Sequence, residues 1–144
     1  MKTATLALAA VLVLVATAPA AQADSKSRPR PPLLHGSECL DPDYARGWVY
    51  LDDTNLLVDT GRHRYHIELN TQCRDMAWAP VIAFRGDTTT GYVCGNALDA
   101  VITRERPCTI RGMSLVTKEE YKALEQQYRD HRRDRGKLVP RAYD

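Results

Sequence analysis

Four cysteines, Cys39, Cys73, Cys94 and Cys108, stand behind an apolar leader, and that combination limits this chain more than any other feature. Lys2 supplies a short positive start, and residues 6–15 (LALAAVLVLV) form the apolar stretch. Ala21-Gln22-Ala23 then gives the small-x-small pattern of a signal-peptidase site. This predicts a signal peptide over residues 1–23, cleaved between Ala23 and Asp24. The apolar run is shorter than the roughly 20 residues a membrane span needs. No cysteine marks the cleavage point for lipid attachment, so a soluble exported product is expected.

All four cysteines fall in the mature part. An even count in an exported chain predicts two disulfides. No two of them form the close C-x-x-C pair of structural zinc sites. The residues alone leave three connectivities open. The formal net charge is +2, and Lys2 is the one charge removed with the leader. A balance so near neutrality gives no case for nucleic acid as a partner, which would want a basic face or stripe. No later segment is apolar enough to cross a bilayer.

Residues 24–37 (DSKSRPRPPLLHGS) are polar, basic and proline-rich, which predicts a flexible segment. From residue 38 to 116 short β runs alternate with turns. Residues 47–51 (GWVYL) read as a strand. Asp52-Asp53-Thr54-Asn55 turns the chain, and 56–59 returns. Residues 62–69 alternate, with His63, Tyr65, Ile67 and Leu69 on one face and Arg62, Arg64, His66 and Glu68 on the other. Residues 70–77 read as a loop, 80–84 as a strand and 86–91 as a turn. Residues 92–94, 98–103 and 108–116 complete the β set.

The period then changes. Thr117 and Glu120 form a capping box, with Val116 and Tyr121 at the staple positions. Tyr121, Leu124 and Tyr128 make a narrow apolar stripe, and Glu125 can pair with Arg129. A helix is predicted over 117–135, fraying near Gly136 into a tail over 136–144. The fold class is mainly β: a small antiparallel barrel or sandwich stapled by two disulfides, followed by a C-terminal α-helix.

No serine sits in a nucleophile elbow, and no phosphate-binding or dinucleotide fingerprint is present. An enzyme would have to draw an acid–base pair from Asp52, Asp53, His63, His66 and Asp99. Asp52 and Asp53 sit where aspartates serve turn hydrogen bonds. Asp99, inside a β run, either faces solvent or satisfies a turn amide near Gly95. His63 and His66 lie on opposite faces of a strand and make no metal pair. The aromatics Trp48, Tyr50, Tyr65, Trp78, Phe84 and Tyr92 either fill the core or line a groove. A binding surface is assigned to Trp48, Tyr50, Tyr65 and Asp99. The basic C-terminal tail reads as a solvated face.

From Cys39 to residue 116 the chain resembles a family of small bacterial envelope proteins classed as a domain of unknown function. The resemblance rests on Cys39-Leu40, on Asp52-Asp53 ahead of a β pair, and on Tyr65 to Leu69 leading to Cys73. It continues through Cys94-Gly95 with Asp99 following, and ends on Cys108-x-Ile110. Family members often carry a lipid-attachment signal, which this chain lacks. The resemblance implies a compact β-domain exported to the periplasm. Closure of a small barrel on that topology suggests Cys39–Cys108 and Cys73–Cys94 as the bridges. The expected function is a non-enzymatic periplasmic module, without cofactor or metal, that binds a periplasmic or cell-wall protein or maintains the envelope. The alternatives are an inhibitor of an exogenous hydrolase such as lysozyme, and a small hydrolase acting on cell-wall or small-molecule substrates.

Overall fold

The computed structural model describes residues 29–104 and 106–138. The expected signal peptide, residues 24–28 and the tail beyond residue 138 lie outside them. Six strands form one antiparallel sheet curled into a half-barrel. They are β1 (Gly47–Asp52), β2 (Asn55–Asp59), β3 (Arg64–Leu69), β4 (Ala83–Arg85), β5 (Ala100–Ile102) and β6 (Pro107–Leu115). Their order in the sheet is β1-β2-β3-β6-β5-β4. Helix α1 (Lys118–Leu138) follows, and continues through Gly136.

The last strand is therefore interior. β6 pairs with β5 through residues 107–109 and with β3 through residues 110–115. One long strand thus joins the two halves of the sheet. Its register shifts opposite Glu68 and Leu69, where Gly112 and then Ile110 are the partners. The extra residue lets Ile110 and Met113, three apart, both reach the core. Gly112 also leaves room for a close neighbour: a Cβ there would stand 2.7 Å from Pro31 Cδ. Within the segment read as flexible, Leu34 donates to the Cys94 carbonyl at 3.0 Å, and Arg30 donates to the Gly95 carbonyl at 2.9 Å.

Alternation sorts the two faces. Leu56 and Val58 on β2, with Tyr65, Ile67 and Leu69 on β3, enter the main core beside Leu40, Met76, Val93 and Val101. Leu57 points the other way and is still fully buried. Its neighbours across the sheet are Val49 and His66, and α1 packs on β1 and β3, over it. The capping box forms as read: Thr117 N–H donates to Glu120 Oε2 at 2.7 Å, and Glu120 N–H to Thr117 Oγ1 at 3.1 Å. Tyr128 meets the edge of Tyr50 at 5.8 Å between ring centroids, and Arg129 pairs with Glu125 at 2.8 Å.

The disulfides are Cys39–Cys94 and Cys73–Cys108, which corrects the pairing expected from barrel closure. That expectation placed the first and last strands at a common seam. Here Leu40 and Val93 form an antiparallel bridge, with amide-to-carbonyl distances of 2.8 and 2.9 Å, and this sets Cys39 opposite Cys94. Because β6 lies beside β3, the chain leaving Leu69 turns back past the start of β6. Cys73 arrives there next to Cys108.

Candidate functional site

A cleft of about 680 Å³ opens at the end of the sheet where residues 36–46 cross the β2–β3 hairpin. That volume is in the range of small-molecule sites. Each wall has a local cause. Asp41 caps a 3₁₀ turn (Pro42–Tyr44) by accepting the Asp43 amide at 3.1 Å, with proline at the first position. The turn throws Tyr44 outward at the mouth, 64% exposed. Arg46 follows and is pinned to the hairpin by its own amide, which donates to the Asp59 carbonyl at 2.8 Å.

The hairpin is held by Thr60 and His63. Thr60 donates to the His63 carbonyl through both its amide and its hydroxyl, and its hydroxyl accepts the His63 amide at 3.1 Å. Gly61 between them has φ +83°, a conformation that side chains resist. Tyr65 rises from β3 as part of the floor, and its hydroxyl donates to the Cys39 carbonyl at 3.2 Å. Burial pushes the Tyr65 phenol up to about 12, so it stays protonated and keeps that bond. The Cys39–Cys94 bridge and the Leu40–Val93 pair close the floor and bring Tyr92 alongside.

The charge balance of the cleft is positive. Arg46 and Arg62 both line it, and neither enters an ion pair among the described residues. Two of the nearby carboxylates already have partners. Asp59 pairs with Arg64 at 3.2 Å and accepts the Gly61 amide, while Asp41 holds its turn. His63, which also lines the cleft, has a buried Nε2 with no hydrogen-bond partner among the described residues. Buried polar atoms are seldom left in that state.

The structure separates the residues assigned from sequence to a binding surface. Tyr65 lines the cleft but is 1% exposed. Asp99 is equally buried, and its Oδ2 accepts the amides of Cys94, Gly95 and Asn96 at 2.9, 2.9 and 2.8 Å. Of the two roles weighed for Asp99, it fills the turn role, and it offers no surface. Trp48 is half-buried against the core. Tyr50 is half-buried too, with its hydroxyl donating to Asp53 at 2.6 Å; burial first, then that carboxylate, raises its phenol.

The acid–base candidates are dispersed as well. His63 is in the cleft, Asp99 is in its turn, and Asp53 accepts from Tyr50. His66 lies in a second depression of about 420 Å³ between the sheet and α1, with Asp52, Asn55, Leu124 and Tyr128. Asn55 is the connector: it donates to both Asp52 oxygens, and its Oδ1 faces His66 Nε2 at 3.0 Å. With Asn55 so placed, Nε2 carries a proton and donates. Burial lowers the pKa of His66, although Glu68 and Asp52 oppose it. Burial acts to raise the Asp52 carboxyl, but hydrogen bonds from Asn55 and Thr54 outweigh it and hold the group low. Among the described residues, none of the five candidates forms a carboxylate–histidine hydrogen bond, and no cluster of three or more His, Cys, Asp or Glu could hold a metal ion. Nor is any described helix long and apolar enough to cross a membrane.

Sequence reading did not single out Tyr44, Arg46 or Arg62 as site residues. They form no motif, and only pairing of β1 with β2 brings Arg46 to the hairpin that carries Arg62. No curated protein and no solved structure matches the chain. Residues 1–132 match the model of a family of unknown function (DUF6491), and the chain belongs to that family.

Proposed function

We propose that the protein is an exported, non-enzymatic binding module of the cell envelope, and that it takes its ligand into the cleft between residues 36–46 and the β2–β3 hairpin. The observation that carries this reading is a concave site lined by two arginines that enter no ion pair among the described residues. Two disulfides fit export to an oxidising compartment, and the periplasm is the compartment we favour. Among the described residues, the five acid–base candidates form no carboxylate–histidine hydrogen bond, which favours binding over hydrolysis. Asp52 and His66 meet through the Asn55 amide.

A thermal-shift screen of envelope-derived small molecules on the oxidised protein tests this reading. A ligand that binds the folded state raises Tm. The Ser37→Trp variant fills the cleft from an exposed position and should abolish the shift. Ligands that shift wild type and variant equally would place binding elsewhere. Turnover of a ligand that vanishes in His63→Ala would replace the binding reading with an enzymatic one.

A further inference from the structure

We infer that the ligand of this cleft is a ring-bearing organic anion, with a carboxylate or phosphate held by Arg46 and Arg62 and the ring laid against Tyr44 and Tyr92. The inference rests on the binding reading above and adds the chemistry of the ligand. The guanidiniums come from different elements and converge on one cavity. Two cations against one carboxylate leave an excess positive charge that an anionic group would offset. Of the charged side chains that line the cleft, two are cationic and one, Asp41, is anionic, while Asp59 on the adjoining hairpin is committed to Arg64. Guanidinium forks match carboxylate and phosphate oxygens in pairs.

His63 supplies the second part. The His63 ring lines the cleft, but its Nε2 is buried and has no hydrogen-bond partner among the described residues, so a ligand oxygen reaches that atom only if the ring turns. Tyr44 is 64% exposed and Tyr92 42%, which leaves two flat apolar faces at the mouth with polar edges. The volume suits one or two rings and excludes a folded partner. A sugar acid or a sugar phosphate has all the required parts: a negative group, hydroxyls and a ring. A neutral sugar lacks the group that the arginines need.

The test is an NMR titration of the uniformly labelled, oxidised protein with glucuronate, glucose 1-phosphate and glucose, read at the His63 ring and the Arg46 and Arg62 side chains. The inference expects saturable shifts with one or both acids and binding of glucose at least about tenfold weaker. Preference for glucuronate assigns a carboxylate source, and preference for glucose 1-phosphate a phosphate source; either supports the inference. Arg46→Gln and Arg62→Gln, both at exposed positions, should each weaken acid binding about tenfold with Tm unchanged. Added salt should weaken it further. Glucose binding as tightly as the acids, indifferent to both substitutions, would overturn the anion inference and leave the binding reading intact. Shifts with none of the three would overturn the anion inference, and a failed thermal-shift screen beside them would remove the binding reading too.

Discussion

The guanidinium of Arg46 lies across Gly61, so close that a Cβ on Gly61 would stand 2.8 Å from Arg46 Nη1. The hairpin backbone and the cleft cation are therefore coupled. Gly61→Ala places a side chain at φ +83°, which costs about 1–2 kcal/mol for an L-residue. It also pushes the guanidinium aside, at little energetic cost because the arginine end is flexible. The expected outcome is a stability loss of that size in urea unfolding, together with a changed Arg46 Nε–H resonance. Adding Arg46→Ala should not restore stability, because the cost lies in the backbone. Full recovery in the double variant would show that the contact, and not φ, sets it.

Asp99 is the internal counterpart. One carboxylate oxygen gathers three amides around Gly95, next to the Cys39–Cys94 bridge. Hydrogen bonds to a charged acceptor contribute about 1.5–3 kcal/mol each, and buried amides left unpaired are costly. Asp99→Ala should destabilise the fold by at least about 3 kcal/mol. Asp99→Asn keeps an acceptor but loses the charge, and should fall between. A denaturant midpoint for Asp99→Ala close to wild type would mean that water or a rearranged turn replaces the carboxylate.

Much of this architecture was open to reading where local physics decides the outcome. The alternation through Tyr65, Ile67 and Leu69 gave the buried face of β3, and Thr117 with Glu120 gave the start of α1. Non-local relations were closed to it. Nothing in residues 107–115 announces a bulge at Gly112, because the bulge answers the register with β3. Residues 80–84 read as a strand, yet only Ala83–Arg85 pairs, since that edge has just the short β5 to pair with. The cleft was missed for the same reason: Arg46 and Arg62 are ordinary surface residues until the hairpin places them together.

The disulfides give a third prediction. Cys73–Cys108 spans 35 residues and Cys39–Cys94 spans 55. In the chain-entropy account, loops of that size stabilise by about 4 kcal/mol each, less any distortion. Replacing Cys73 and Cys108 together by alanine should lower stability by about 2–4 kcal/mol and leave a protein whose remaining bridge links Cys39 to Cys94. Non-reducing peptide mapping checks the pairing directly. A Cys39–Cys108 peptide would contradict the interior position of β6.

The second depression makes the protein pH-sensitive through His66. Burial lowers its pKa in the folded state below the usual value of about 6.5. Between the two values the unfolded chain binds more protons than the folded one, so stability rises with pH there. The contribution is present above about pH 6.5 and is lost as the pH falls through the depressed value. Asp52, Asp87 and Glu120 are shifted downward, so their effects on stability belong to a more acidic range, below about pH 4.5. Glutamine at position 66 can keep a donor toward Asn55 and cannot titrate. The comparison is therefore between wild type and His66→Gln, as urea-unfolding free energies measured from about pH 7.5 down to about pH 5. Wild type should lose stability over that interval while the variant changes less. The difference between the two curves cancels the other histidines, which both proteins share. Parallel curves would mean that His66 is solvated well enough to titrate normally, and that α1 does not seal the face of the sheet it covers.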